Sequence, residues 1–160
     1  MKTINIAYAQ INPTVGDLDN NLQLLINQAH EAQSQGADLI AFPELSLSGY
    51  PPEDLLFRNS FISDCLANAE KYAKATPDIF SIIGLPLIQN GKLTNAAIVT
   101  NKGRIVHHYA KQKLPNYGVF DELRYFTAGT KPLALELKGI NIGVTICEDL
   151  WTPEVAEQTK

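Results

Sequence analysis

The alternation of apolar and polar residues in the first part of the chain predicts two strands joined by a helix. The segment at residues 3–11, "TINIAYAQI", is rich in β-branched and aromatic residues, which is typical of a strand. A helix is predicted from Asp19 or Asn20, either of which can cap it, to Gly36. The short apolar run at residues 37–44 indicates a strand buried on both faces. This β-α-β order predicts parallel strands with a crossover helix.

The rest of the chain predicts a second helix followed by antiparallel hairpins. Turn sequences such as "NGK" and "NKG" separate apolar segments that are long enough to be paired strands. A further helix is predicted to begin with Thr152 as its cap and Pro153 in its first turn. The other predicted elements are a helix at 60–76, strands at 80–89, 93–100 and 104–110, a long loop at 111–132, and strands at 133–138 and 142–149.

The length of 160 residues and the ordinary composition predict one soluble globular domain. The net charge of -4 argues against a nucleic-acid partner, because such partners select for clustered Lys and Arg. No apolar run approaches the roughly 20 residues of a membrane span, and the N-terminus lacks the features of a signal peptide. We therefore expect a cytoplasmic protein. Its two cysteines suggest no disulfide framework, and its three histidines are too few for a zinc site.

Three reactive side chains stand at the ends of predicted strands. Glu44 ends "LIAFPE", Lys111 ends "RIVHHYAK" and Cys147 ends "GVTIC". In α/β sheets, functional sites form where the carboxyl ends of the strands come together. A carboxylate, an ammonium and a thiol could therefore meet at one such site. A carboxylate base could activate the thiol, and an ammonium could stabilise the oxyanion formed at an amide carbonyl. The backbone N–H of Glu148 could add a second donor to that oxyanion.

Each of these residues also has an ordinary structural interpretation. A cysteine after a strand is commonly a buried, inert thiol, and a glutamate there is commonly a cap or an ion-pair partner. A lysine in "AKQK" is commonly a solvated surface charge. Cys65 lies on the apolar face of the second helix and is predicted to belong to the core. His107 and His108 alternate within a strand, so one should face solvent, and neither is given a role.

Three motifs carry a resemblance to a known family. The segments "FPELSLSGYPPEDLL", "YAKQKLPNYGVFDELRYF" and "GVTICEDLW" resemble the nitrilase superfamily of carbon–nitrogen hydrolases. Within it they are most similar to the glutamine amidotransferase domains of glutamine-dependent NAD+ synthetases. The resemblance implies an α/β fold with mixed sheets, the N-terminal portion of a nitrilase-type α-β-β-α sandwich. It also implies that residues 1–160 form a glutaminase domain that is incomplete at its C-terminal end.

The resemblance implies a role for each matching residue. Glu44, Lys111 and Cys147 match the catalytic triad, with Lys111 rather than Lys113 in the K-x-x-L-P pattern. The residues that match substrate-binding positions are Glu122, Tyr50, Tyr117 and Glu148. The implied reaction is hydrolysis of L-glutamine through a cysteine thioester, without a metal in this domain.

The implied partner is a synthetase domain that uses the ammonia, together with ATP and Mg²⁺, to amidate nicotinic acid adenine dinucleotide. No Gly-rich phosphate loop occurs in these 160 residues, so no cofactor is expected here. The resemblance also implies a homo-oligomer for the full-length protein. Two alternatives remain open, namely another amidase or carbamoylase of the superfamily and a non-catalytic α/β module.

Overall fold

The computed structural model describes residues 2–159, in which five strands form one mixed sheet in the order β1-β2-β3-β4-β5. The first three strands are parallel, and β3-β4 and β4-β5 are antiparallel hairpins. This confirms the predicted change from crossover connections to hairpins. The strands are β1 (Ile6–Tyr8), β2 (Leu39–Ala41), β3 (Phe80–Gln89), β4 (Lys92–Asn101) and β5 (Arg104–Ala110).

Two long helices cover one face of this sheet. Helix α1 is Leu18–Ser34 and helix α2 is Asn59–Ala75. The N-cap of α1 is Asp17, whose carboxylate accepts from the backbone N–H of Asn20, so the predicted cap at Asp19 or Asn20 was wrong. Asp17 is the cap because the helix begins at Leu18, whose side chain already packs against the core, so the acceptor for the first N–H groups must come from position 17.

A second, two-stranded sheet covers the opposite face. It consists of β6 (Leu133–Leu137) and β7 (Ile140–Val144), which pair antiparallel. A short helix, α3 (Pro153–Glu157), follows, with Thr152 as its N-cap residue. Among the described residues, no helix is both long enough and apolar enough to cross a membrane.

The alternation of side chains along β3 and β4 produces two separate cores. Ile83 and Leu85 of β3 face the helices, together with Ile98 of β4. Their neighbours in the strand, such as Ile82 and Val99, face the small sheet. Because successive side chains of a strand point to opposite faces, one pair of strands can support both layers. The helix, sheet, sheet order matches the predicted nitrilase-type layers.

Several predicted strands are longer than the observed ones at the ends nearest the site. The strand predicted at 3–11 is only Ile6–Tyr8, and the one at 37–44 is only Leu39–Ala41. The strand predicted at 142–149 is Ile140–Val144, and Cys147–Leu150 instead forms a 3₁₀ turn. Apolar runs predicted these extensions because the turns that follow the strands are themselves buried, as at Phe42 and Ile146.

Candidate active site

The acid predicted as a base lies on a turn that leaves the sheet beside β3. After β2 ends, Phe42 N–H still bonds Ile82 O at 2.9 Å, and Leu47 N–H bonds Gly84 O at 3.0 Å. Between these anchors the chain bulges outward, and Leu45 adopts a φ of 52°. The turn fits only because Gly84 has no side chain: a Cβ there would lie 2.3 Å from Leu45 N. The bulge places the carboxylate of Glu44 over the end of the sheet.

The predicted lysine begins the long loop directly after β5. Its backbone is fixed on both sides, because Lys111 N–H bonds Asn95 O at 2.9 Å and its carbonyl accepts from Gly129 N–H at 2.8 Å. A Cβ at Gly129 would lie 2.1 Å from Ala110 O, so this close approach also requires glycine. The Lys111 side chain therefore points into the protein rather than to solvent.

Lys111 is an ammonium held between two carboxylates. Its Nζ lies 2.7 Å from Glu44 Oε1 and 2.7 Å from Glu122 Oε1, and its side chain is 0% exposed. Burial alone would lower the pKa of Lys111, but the bonds and charges of Glu122 and Glu44 outweigh burial and raise it. The structural interpretation as a surface lysine was wrong. Lys113 is the solvated one, half-exposed and paired with Glu154.

Glu122 is a buried acid rather than a surface one. It begins the 3₁₀ turn Glu122–Arg124 within the long loop and is 7% exposed. Burial raises the pKa of Glu122, although Lys111 opposes that shift. The structure thus brings Glu44, Lys111 and Glu122 together in one cluster.

Asn95 is a member of this cluster that the sequence did not single out. It lies on β4, is 1% exposed, and its Nδ2 donates to Glu44 Oε1 at 2.7 Å. The same Nδ2 is 3.5 Å from Glu122 Oε2. The only signal in the sequence was an amide in the otherwise apolar strand "LTNAAIV", and a buried amide needs a polar partner.

Cys147 opens the 3₁₀ turn after β7, and it is the exposed cysteine, whereas Cys65 is buried in the core as predicted. Its φ is 47°, a left-handed conformation that is uncommon outside glycine and that clusters at functional sites. The thiol lies near the Glu44 carboxylate and the backbone N–H of Glu148. Burial and the Glu44 charge raise the pKa of Cys147, while Lys111 and the Glu148 N–H oppose the shift. The resting group is therefore a neutral thiol beside a carboxylate.

The two predicted tyrosines flank this cluster. Tyr50 is 43% exposed, and its pKa is raised to about 12 by burial and by the charges of Glu44 and Glu122. Tyr117 donates its hydroxyl to the Glu148 carboxylate at 3.2 Å. A cleft of about 530 Å³ opens beside the cluster and is lined by Tyr50, Glu122 and Phe120 among others.

This arrangement has the parts needed for nucleophilic attack on an amide. The Glu44 carboxylate lies beside the thiol, so it can accept the proton as the sulfur attacks. Within residues 2–159, the acceptors of the Lys111 ammonium are Glu44 and Glu122, which leaves one of its three N–H donors for an incoming group.

In the same part of the chain, no group of three His, Cys, Asp or Glu could hold a metal ion. His107 and His108 are both exposed.

The layered fold, with a thiol, a carboxylate and an ammonium beyond the strand ends, is the arrangement expected of the carbon–nitrogen hydrolases. Residues 5–159 match the model of the carbon-nitrogen hydrolase family. The chain belongs to this family, which confirms the resemblance to the nitrilase superfamily.

Similar proteins fall into two groups. Proteins named glutamine-dependent NAD(+) synthetase include one from Thermotoga maritima, 44% identical over 96% of this chain, and one from Acinetobacter baylyi, 43% identical over 99%. The chain spans only 27% and 29% of the lengths of these two relatives. A solved glutamine-dependent NAD+ synthetase from Acinetobacter baumannii superposes with a TM-score of 0.93 at 42% identity, covering 99% of this chain and 30% of that one. An amidase from Nesterenkonia sp. superposes with a TM-score of 0.85 at 25% identity, covering 98% of this chain and 60% of that one.

Proposed function

We propose that this chain is a glutaminase that hydrolyses L-glutamine through a thioester on Cys147. The observation that carries the proposal is the position of the Cys147 thiol beside Glu44, whose charge raises the pKa of the thiol, with Lys111 Nζ 2.7 Å from the same carboxylate. The name shared by the relatives from Thermotoga and Acinetobacter supports glutamine as the amide substrate.

The proposed reaction begins with proton transfer from Cys147 to Glu44 as the sulfur attacks the side-chain amide carbon of glutamine. The remaining N–H of Lys111 and the Glu148 N–H stabilise the oxyanion of the tetrahedral intermediate. The protonated Glu44 then gives its proton to the departing nitrogen, and ammonia leaves. A water molecule, deprotonated by Glu44, attacks the thioester and releases glutamate while the thiol regains its proton.

The residues predicted to bind substrate would orient the Lys111 ammonium and enclose the glutamine side chain. Glu122 neutralises and orients the Lys111 ammonium together with Glu44. Tyr50 and Tyr117 flank the entrance, where their rings would enclose the aliphatic part of glutamine. Tyr117 and the Glu148 side chain are joined by a hydrogen bond, which would hold this wall in place.

The destination of the ammonia is the second part of the proposal. In the longer protein, a synthetase domain would use the ammonia to convert nicotinic acid adenine dinucleotide to NAD+, with ATP and Mg²⁺ bound by that domain. Formation of labelled NAD+ from amide-¹⁵N glutamine by a full-length protein tests this step. Light scattering of the same protein tests the expected homo-oligomer, and a monomer would contradict it.

A glutamine-mimicking electrophile tests the site itself. The chain is treated with a diazoketone analogue of glutamine, with and without L-glutamine, and the modified peptides are identified by mass spectrometry. Cys147 should be labelled and protected by L-glutamine, whereas Cys65 should stay unmodified and Cys147→Ala should take up no label. Equal or absent labelling of the two cysteines would contradict a formed glutaminase site in these residues. Repeating the test on a chain of the relatives' length then shows whether further residues are needed.

Another amidase activity is the second candidate, because the Nesterenkonia amidase shares the fold over 98% of this chain. Simple amides such as acetamide and propionamide are compared with L-glutamine by ammonia release. Turnover of simple amides in preference to glutamine would favour this candidate over the glutaminase.

A further inference from the structure

Asp149 is a fully buried carboxylate that has no part in the proposed chemistry, and it accepts four hydrogen bonds. Its relative exposure is 0%. Oδ1 accepts from the backbone N–H groups of Gln112 at 3.0 Å and Lys113 at 2.8 Å. Oδ2 accepts from the Tyr109 hydroxyl at 2.7 Å and from the Ile146 N–H at 3.0 Å.

The donors belong to the two segments that carry the ammonium and the thiol. Residues 112 and 113 directly follow Lys111 at the end of β5, and Ile146 directly precedes Cys147. Strand β5 belongs to the five-stranded sheet, whereas β7 belongs to the small sheet. The Asp149 carboxylate therefore joins the segment that follows β5 to the segment that follows β7, and these two strands belong to different sheets.

The chemistry of these contacts requires an ionised acid rather than a side chain of the same shape. All four partners are donors, and a carboxylate offers two oxygens that only accept. An asparagine would present its NH₂ to one pair of donors, losing two bonds and placing donors against donors. Carboxylate bonds to N–H groups are among the stronger hydrogen bonds in proteins, so the loss would loosen both segments.

We propose that Asp149 is a positioning residue that sets the Cys147 sulfur against Glu44 and Lys111. It acts through the backbone and does not touch the substrate. The inference rests on the proposed function in taking Cys147 as the nucleophile. The reactivity of that thiol, however, can be measured without any turnover of glutamine.

The first measurement is the pH profile of alkylation of Cys147 by iodoacetamide, with Cys65 as an internal reporter. Burial and Glu44 raise the pKa of Cys147, so a thiol released from its position should titrate at lower pH, nearer an ordinary cysteine. In Asp149→Asn the midpoint of the profile should move down. Cys65, whose pKa burial raises to about 12, should stay unmodified as long as the core is folded.

The second measurement is glutamine turnover by the same variant. A misplaced nucleophile should lower kcat by about a hundredfold, since a displacement of about 1 Å can have that effect. KM should change far less, because the groups that hold the substrate remain. If the wild-type chain does not hydrolyse glutamine, the proposed function fails, while the alkylation profile still tests the role of Asp149.

Two tyrosines provide a matched pair of milder variants. Tyr109→Phe removes one buried hydroxyl bond to Asp149, and Tyr72→Phe removes a buried hydroxyl bond of 2.8 Å to Ser81 in the helix-side core. Tyr109→Phe should shift the alkylation midpoint in the same direction as Asp149→Asn, by less, and Tyr72→Phe should not shift it.

The inference is overturned if folded Asp149→Asn retains the wild-type midpoint. If Cys65 becomes reactive together with Cys147 in Asp149→Asn, that variant is unfolding rather than misplacing the thiol. The alkylation profile of Tyr109→Phe then provides the test of the positioning role. A wild-type profile for Tyr109→Phe, or an equal shift for Tyr72→Phe, would then refute a positioning role.

Discussion

Replacing Lys111 with methionine should strongly destabilise the fold, because it leaves two carboxylates facing each other without their cation. Methionine keeps an unbranched chain of similar length, so the packing term stays small. The loss of charge dominates instead, because the Lys111 side chain is 0% exposed and that of Glu122 only 8%. Breaking a buried pair in this way costs about 3–5 kcal/mol of unfolding free energy. With an m-value of about 2 kcal/mol/M, the urea midpoint should fall by about 2 M.

The destabilisation should depend on pH in a direction that the structure fixes. Burial raises the pKa of Glu122 above its unfolded value, and Lys111 limits that shift. Without Lys111 the folded-state pKa rises further, so the folded variant retains a proton that the unfolded chain has lost. Stability from that proton is present at low pH and disappears as pH rises through the folded pKa. The difference between wild type and Lys111→Met should therefore grow from pH 5 to pH 8, by about 1.4 kcal/mol for each unit of added shift.

The difference in stability between wild type and Lys111→Met is measured by urea unfolding at pH 5 and at pH 8, followed by far-UV circular dichroism. Lys111→Met/Glu122→Gln should recover part of the loss, since it removes the more deeply buried unpaired charge. Lys113→Met is the matched control, because that lysine is half-exposed and its removal should leave the midpoint unchanged. A loss below about 1 kcal/mol for Lys111→Met that is the same at both pH values would refute the argument that these carboxylates are desolvated.

Three further variants test other parts of the site. Glu44→Gln should abolish turnover and yet move the alkylation profile of Cys147 to lower pH, because the Glu44 charge raises that thiol's pKa; an unchanged or higher midpoint would contradict this. Asn95→Leu should lower the free energy of unfolding by about 1.5–3 kcal/mol, which is the range for a hydrogen bond to a charged group. An unchanged urea unfolding midpoint would contradict the role of Asn95 as a partner of Glu44. Gly84→Ala should reduce turnover by displacing the turn that carries Glu44. Gly103→Ala strains only its own turn between β4 and β5, where φ is 74° and the added Cβ meets open space, so it should keep turnover.

The reactive residues could be predicted because each follows an apolar strand in the sequence. Glu44, Lys111 and Cys147 were expected to converge at strand ends, and the structure places Cys147 beside the hydrogen-bonded pair of Glu44 and Lys111. The details of the ends could not be predicted. Glu44 and Cys147 lie beyond the last residues of their strands, Ala41 and Val144, on turns whose left-handed residues are not glycines.

Contacts between segments distant in sequence were the part that the sequence could not supply. Asn95 is 51 residues from Glu44, and Asp149 is 37 residues from Gln112. Neither residue type at those positions signals its partner, because the bond exists only after the sheets have packed. Glu122 was assigned by resemblance, and its burial arises from a short 3₁₀ turn that no periodicity marks.

The division of the site between two sheets also has a consequence for folding. Within residues 2–159, strands β6 and β7 pair only with each other, so the small sheet can move away as a unit without breaking the strand pairs of the larger one. Such sub-global openings are a common form of native-state fluctuation. A substrate bound between Cys147 and Lys111 would contact both halves and oppose this opening. Amide exchange in β6 and β7 should accordingly slow when the site is occupied, because the bound substrate holds the two sheets together.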